Sequence, residues 1–553
     1  MQPRHFRHWP KSLPRSLTLP RSTLHAMLEV SAQRYPDKAF SHFFGAALSY
    51  REALAQVERL AGFLQHACGV RRGDRVLLDL QNSPQFALAH YAILRADAVA
   101  VPVNPMNVAG ELAHYIEDSD ARVAICGQER WPQLAGLSLP HVIVAAYRDY
   151  AGEETDLPLP EAVAAARAKI EARGVTLWTD ALAAGHAPAS SRAQPQDLCL
   201  MPYTSGSTGR PKGCMHTHAT VMHNVLGAAL WEGMHQDSVA LCTAPMFHVT
   251  GLVHSLNAAV WCGATMAIQP RWDPELAARL IERYRCTHWA NVPTMVVDLL
   301  SHPRALGHDV SSLQCIFGGG SSMPEAIATK LFETCGIHYM EGYGMTETIS
   351  QTHMNPAQEP KRQCLGIPVF DSEALVADPA TRAVLGPGEA GEILVRGPQL
   401  LTGYWKKPKD YRDAWVEIGG RSFFRTGDLG RMDEDGYYFI SDRLKRMINA
   451  AGFKVWPAEV EAAMYRHPEI QECCIIASPD ERRGETVKAV VVLKPGARAA
   501  AGEILEWAHA QMAAYKAPRK LEFVEALPRS GSGKIQWREL QEKEWGKSPG
   551  SRP

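Results

Sequence analysis

Apolar positions along the first part of the chain follow two periods. Leu24, Met27, Leu28 and Ala32 recur at helical spacing after Ser22 or Thr23, residue types that cap a helix, and the pattern ends near Pro36. Short apolar runs follow: RVLLDL at 75–80, AVAVPV at 98–103, RVAIC at 122–126 and HVIVAA at 141–146, with a helical stretch at 84–96. Such runs alternating with helices predict βαβ units and a parallel sheet covered on both faces. Residues 150–195, rich in Ala, Pro and acid, predict a surface helix and linker before another βα unit begins at Leu198. A second α/β series follows, with a helix at 273–285, the strand THWANV, and SLQCIFGGG, a strand ending in glycine.

After about 355 the pattern changes to short strands and turns, EILVRG, SFFRTGD and DEDGYYFI, which predict a small β-rich subdomain over 355–441. Asp433-Glu-Asp435-Gly436 lacks the ligand spacing of a calcium loop and reads as a hairpin turn. A helix at 457–466, strands CCIIAS and KAVVVL, and a helix at 501–514 predict a separate, smaller α+β domain over 447–553. The expected class is therefore α/β: a large N-terminal domain over 23–441 with two βα-layered sheets and the β-rich subdomain, then the C-terminal domain. No repeat of 20–50 residues is present, which removes solenoids and propellers.

The length of 553 residues is several times the ~100–150 residues of one domain, so a multidomain chain is required on size alone. Lys and Arg number 58 against 59 Asp and Glu, so no global field draws the protein to nucleic acid, and no nucleic-acid partner is expected. Twelve cysteines, without a CxxC pair, read as reduced thiols of a cytoplasmic protein. Residues 1–22 carry Arg4, Arg7, Lys11, Arg15 and Arg21 and no acid, but Pro3, Pro10, Pro14 and Pro20 break the helix a transit peptide needs. They predict a basic, extended arm, which leaves peripheral membrane contact or a homodimer open. The uncharged stretch 238–270 is long enough to span a bilayer, yet Pro245, His248, Gly251, His254, Asn257 and Gly263 would be costly in lipid. It reads as core beside a ligand tunnel, and no transmembrane segment is expected.

Chemistry concentrates in Tyr203-Thr-Ser-Gly-Ser-Thr-Gly-Arg-Pro-Lys212-Gly213, where four Ser/Thr hydroxyls, three glycines and a lysine follow a strand. Backbone N–H groups, hydroxyls and one cation suit a polyphosphate. The loop is not a Walker A motif, because Pro211 precedes Lys212 and Gly213 follows it, and by itself it is equally a solvated Ser/Gly linker.

In its wider setting the loop resembles the phosphate loop of adenylate-forming enzymes, the superfamily of acyl-CoA synthetases, peptide-synthetase adenylation domains and beetle luciferases. The family's other blocks recur in order: Gly318-Gly-Gly320, Glu341-Gly-Tyr-Gly-Met-Thr-Glu-Thr348, Arg425-Thr-Gly-Asp428, Asp442-Arg-Leu-Lys445 and Ser530-Gly-Ser-Gly-Lys534, so the likeness runs from about residue 23 to 545. Chemically, a carboxylate resists nucleophilic attack, so acyl transfer needs a mixed anhydride such as acyl-AMP. The resemblance implies ATP, Mg2+ and coenzyme A. It implies nucleotide binding by Thr204, Ser205, Gly206, Ser207, Thr208, Gly209, Lys212, Gly318, Gly319, Gly320, Glu341, Gly342 and Gly344. Tyr343 would stack on adenine, Asp428 would accept from the ribose hydroxyls, Arg443 would lie near ribose and phosphates, and Thr346 would bond the α-phosphate. Glu347, with Thr204, would hold the metal. Lys534 would be the adenylation lysine, offsetting charge on the attacking carboxylate and the leaving phosphate.

In the family the C-terminal domain is mobile, turning about a hinge after adenylation, here 442–446 with Lys445 at the pivot. Ala451-Gly452-Phe453 would then line the thiol channel and Arg271 would meet CoA phosphate; Ala451 departs from the family's usual residues. His248, in Pro245-Met-Phe-His248, stands where amino-acid-selecting relatives place an Asp, which implies a plain carboxylic acid. His248, Leu252, Asn291, Gly319 and Gly342 are the expected acyl-pocket residues. Leu252 stands where some long-chain enzymes carry a Trp gate, so chain length stays open. The overall likeness is to bacterial medium- or long-chain fatty acid CoA ligases. Aryl and cinnamate ligases, carrier-loading acyl-AMP ligases and luciferase-like oxidation share the adenylation residues. A non-catalytic nucleotide-binding module is opposed by the retained Lys212, Glu347, Asp428, Arg443 and Lys534, and no GxSxG elbow supports a serine hydrolase.

Overall fold

The computed structural model describes residues 3–204, 211–320, 322–443, 446–450, 453–480, 484–529 and 535–546. Four sheets organise the chain. In the first, nine strands run in the order Ile367–Pro368, Ser350–Met354, Met340–Met345, Cys315–Gly319, His288–Asn291, Val239–Cys242, Thr265–Ile268, Ala39–Phe43, Ala46–Ser49. The strands from Met340–Met345 to Ala39–Phe43 pair in parallel. The second sheet holds Gly403–Tyr404, Lys212–Thr217, Leu198–Leu200, Val99–Pro102, Arg75–Asp79, Val123–Gly127, His141–Ala145 and Val175–Leu177, with Tyr203–Thr204 paired to Lys212–Thr217.

The continuous apolar runs have a direct packing reason. In Arg75–Asp79, Val76 and Leu78 join the main core while Leu77 faces a second cluster, so the apolar positions of the strand are buried on one side or the other. The main core links the two nine-stranded sheets through helices Tyr50–His66, Pro84–Arg95 and His218–Glu232; Leu60, Phe86, Val225, Leu241 and Met266 are among its members. The outer cluster is closed by helix Ala109–Ser119 through Leu112 and Ile116.

Two expectations are revised, and the expected hinge gains a structural setting. The arm at 1–22 is not extended away from the body: a short turn Arg4–Arg7 precedes Trp9, which is 6% exposed and stands edge-on to Trp231 and Phe370 at 5.0 and 5.3 Å. Its prolines prevented a helix, but its aromatic residues supply enough apolar area to dock it. The linker at 150–195 contributes a strand, Val175–Leu177, to the edge of the second sheet, followed by helix Trp178–Ala183 with Trp178 buried. Three residues are too few for a readable period. The expected hinge at 442–446 begins inside a strand: Tyr438–Arg443 belongs to the third sheet, with Arg443 opposite Asp428.

That third, five-stranded sheet comprises Glu373–Ala377, Gly391–Arg396, Arg421–Met432, Trp415–Ile418 and Tyr438–Arg443. The Asp433–Gly436 hairpin is as read: Asp433 Oδ1 accepts from the Asp435 and Tyr437 amides, and Gly436 has φ +90°. The C-terminal domain has its own sheet and core, with Ile475, Val487 and Val491 packed on helices Pro457–Met464 and Ala501–Gln511. Asp442 joins the two parts by accepting from the Ala458 amide at 2.7 Å, at the start of helix Pro457–Met464.

Candidate active site

The C-terminal ends of the first sheet's parallel strands carry the glycine-bearing blocks side by side: Asn291 pairs with Gly318, and Gly319 with Gly342. A side chain at 319 would put its Cβ 2.3 Å from the Gly342 carbonyl, and one at 318 would meet the Asn291 carbonyl at 2.2 Å, so only glycine allows these strands to close up here. Gly320, at φ +88°, turns the chain out of the strand. Strand Met340–Met345 then runs into the short turn Thr346–Thr348. Gly344 is required by contact: a Cβ would lie 1.7 Å from the Ser350 carbonyl.

Tyr343 Oη donates to Asp428 Oδ2 at 2.6 Å, bringing the first and third sheets together at one point, and Asp428 is 1% exposed. Glu347 is buried, and Tyr404 donates to its Oε1 at 3.0 Å. Burial and the adjacent Glu347 carboxylate push the Tyr404 hydroxyl far above its usual range, so it stays a donor. His216 Nε2 donates to the Thr346 carbonyl at 2.8 Å, with its own pKa lowered to about 4 by burial, so the ring is neutral at pH 7.

The strands that flank the hydroxyl-rich segment pair antiparallel, with Thr204 opposite Lys212. Lys212 forms an ion pair with Asp410 and lies 5.2 Å above the Tyr404 ring, and the first of these strands packs beside the Thr346–Thr348 turn. Ser205, Gly206, Ser207, Thr208 and Gly209 lie outside the described residues, as do Lys445, Ala451, Gly452 and Lys534; Arg443 and Phe453 are placed as strand backbone. Among the described residues no three His, Cys, Asp or Glu side chains converge as a metal cage. A single hard carboxylate such as Glu347, with Thr204 on the neighbouring strand, fits Mg2+, which keeps most of its shell for waters and phosphate oxygens.

Two expected ligand residues also brace the fold. Asn291 is wholly buried, its Oδ1 accepting from Tyr339 Oη at 3.0 Å and its Nδ2 donating to the Trp289 carbonyl at 3.2 Å. Glu341 accepts from the Gln363 amide at 2.7 Å and the Met323 amide at 3.3 Å; burial raises its pKa to about 7 against those bonds. Neither side chain is turned outward. Arg271 is exposed and donates to Gln81 Oε1 at 3.2 Å.

The stretch 238–270 folds as strand Val239–Cys242, a loop, the π-helix Gly251–Asn257, helix Ala258–Cys262 and strand Thr265–Ile268. His248 is half-buried, with its Nδ1 accepting from the Thr250 amide at 3.3 Å, while Leu252 is 1% exposed. No described helix is long and apolar enough to cross a membrane. Sequence reasoning missed the group that sets the loop. Asn82 donates from Nδ2 to the Ala244 and Cys242 carbonyls at 3.0 and 3.3 Å and accepts from the Met246 amide at 2.7 Å. His216, Tyr404 and Asp410 were missed as well; a buried His in KGCMHT was the only local signal among them.

These parts define an α/β enzyme whose polar groups gather where parallel strands end. Residues 28–405 match the AMP-binding enzyme family, and residues 459–534 match the AMP-binding enzyme C-terminal domain. The chain belongs to the AMP-binding enzymes. It is 34% identical to the long-chain-fatty-acid–CoA ligase of Bacillus subtilis over 97% of each chain, and 35% identical to a feruloyl-CoA synthase of Amycolatopsis over 89% of this chain and 93% of the other. Its structure is similar to ATP-bound MatB of Rhodopseudomonas palustris, with a TM-score of 0.82 at 28% identity, over 95% of this chain and 99% of that one.

Proposed function

We propose that this protein is an ATP-dependent acid–CoA ligase acting on a hydrophobic carboxylic acid of the medium- or long-chain fatty class. The observation that carries it is the full-length similarity to a long-chain-fatty-acid–CoA ligase, together with an uncharged, almost wholly buried wall following His248. In the first half-reaction a carboxylate oxygen attacks the α-phosphorus of ATP, the acyl–phosphate bond forms, and pyrophosphate leaves. In the second, the CoA sulfur attacks the acyl carbon and AMP leaves. Bound Mg2+ would supply charge neutralisation on the phosphates.

The chain's own groups do the positioning. Thr346 and the hydroxyl loop with Lys212 hold phosphate oxygens, and Tyr404 keeps the Glu347 carboxyl aimed. Tyr343 offers its face to adenine, and Asp428, bonded to Tyr343, receives the ribose. Lys534 serves adenylation; Lys445, Ala451, Gly452, Phe453 and Arg271 serve the domain turn and the CoA stage. The cysteines are all free thiols, which supports a reducing cytoplasmic setting. A second reading, an aryl acid of the cinnamate type, is supported by the similarity to feruloyl-CoA synthase.

The test is pyrophosphate release with MgATP across straight-chain acids, benzoates, cinnamates and amino acids, with and without CoA. Turnover of aliphatic acids to thioester is the expected result. Cinnamates alone being turned over would select the second reading, and release without CoA consumption would point to a carrier-protein acceptor.

A further inference from the structure

The π-helix Gly251–Asn257 carries a histidine that the ligase reading does not use. His254, 4% exposed, donates from Nδ1 to Glu232 Oε1 at 2.5 Å, and Glu232 lies fully buried at the last turn of helix His218–Glu232. With the carboxylate as acceptor, Nδ1 carries the proton and Nε2 is left to accept from Ser350 Oγ at 3.0 Å. The ring is held flank-on by Phe317, 4.8 Å between centroids, one residue before Gly318. A serine, a histidine and a carboxylate in hydrogen-bond sequence have the form of a hydrolytic triad. Here Ser350 is itself buried, so the chain of bonds serves alignment and not attack.

What is aligned is unusual backbone. Ile349 and Ser350 have φ +42° and +89°, two successive non-glycine residues in the left-handed region, directly after the Thr346–Thr348 turn. Their surroundings over-determine them. Asn224 Nδ2 lies within 3.1 Å of the Thr348, Ile349 and Gln351 carbonyls, and Thr348 Oγ1 donates to the Ser350 carbonyl at 2.6 Å. The only side-chain bond from this strained pair to the acid-binding wall is Ser350 to His254 among the described residues.

We propose that Glu232, His254 and Ser350 are positioning residues that lock the Thr346–Glu347 turn to the wall following His248, so that the phosphate- and metal-facing groups keep their place. This rests on the reading of Glu347 and Thr346 as Mg2+ and phosphate ligands. His254→Ala would leave the buried Glu232 carboxylate without its partner and is expected to unfold the chain, so the test uses Ser350. Ser350→Ala keeps the Cβ that restricts the turn and removes only the hydroxyl; Ser350→Gly removes the hydroxyl and also relieves the positive φ.

The readouts are ATP affinity by calorimetry, with Mg2+ and with EDTA, and melting temperature. Both variants should lose about tenfold in MgATP affinity and less in EDTA, where only the phosphate contact remains, and Ser350→Gly should melt no lower than Ser350→Ala, because both orphan His254 Nε2 and only glycine relieves the positive φ. Wild-type MgATP affinity in either variant, or a lower melting temperature for Ser350→Gly than for Ser350→Ala, would overturn the proposal. Binding needs no acid, so a wild type that binds MgATP but shows no acid-dependent pyrophosphate release defeats the ligase reading and leaves this result standing.

Discussion

Asn82→Ala isolates what one buried amide does for the loop that leads to His248. Asn82 is 3% exposed, and truncation leaves the Met246 amide and the Ala244 carbonyl without their partners in a place water does not reach. An orphaned buried polar group costs roughly 1–3 kcal/mol, so a total near 3 kcal/mol is expected, with the weaker 3.3 Å contact to Cys242 adding little. In a domain of this size that lowers the melting temperature by roughly 3 °C. Because the loop leads to His248 two residues beyond Met246, the KM for the acid should rise while ATP affinity holds.

Asn82→Asp sharpens the test. It keeps the acceptor for Met246 but turns an oxygen toward two carbonyls, so its folded pKa is raised above the ordinary carboxylate value. Its deficit should then grow as pH rises from about 4, and shrink toward that of the alanine variant in acid. Calorimetric melting of the three proteins from pH 5 to 8, with acid titrations at pH 7, measures both effects. An alanine variant that melts within about 1 °C of wild type and has an unchanged KM would refute the reasoning.

Lys534→Ala should cripple acyl-AMP formation yet spare thioester formation from supplied acyl-AMP, measured as separate half-reactions; equal loss of both would remove the assigned role. Glu347→Gln retains an acceptor for Tyr404 but removes the hard ligand's charge, so the Mg2+ concentration for half-maximal pyrophosphate release should rise about tenfold, read from a metal titration. Trp9→Ala removes the aromatic anchor from Trp231 and Phe370 and should cost ~3 kcal/mol, visible in urea melts.

The buried histidines set an acid limit. His216, His218 and His288 are lowered to about 4, and His90 and His353 to about 3, all chiefly by burial. Their unfolded forms take up protons first, so stability is lost as pH falls from about 6.5 toward 4, and His216→Gln should flatten that slope in pH-dependent melting. Glu341, raised to about 7, acts oppositely, its burden growing as pH rises from about 4.5 to 7.

Much of this protein is determined by local sequence. Leu77 and its neighbours form an unbroken apolar run because the strand is buried on both faces, and that burial is written directly into composition. Gly318, Gly319 and Gly344 stand in motif positions because any Cβ would strike a neighbouring carbonyl, so a chemical requirement of the site is visible as a letter in the chain. The tertiary structure alone decided which polar side chains meet across long separations. Tyr404 reaches Glu347 over 57 residues and Asn82 reaches Met246 over 164, because separate sheets converge there. It decided also that Glu341 and Asn291 face inward, that the proline-rich arm docks through Trp9, and that Val175–Leu177 closes a sheet edge. A local pattern records whether a position is buried or must lack a side chain. The partner that satisfies a buried hydrogen-bonding group comes from wherever the fold brings the chain back, and no spacing along the sequence encodes it.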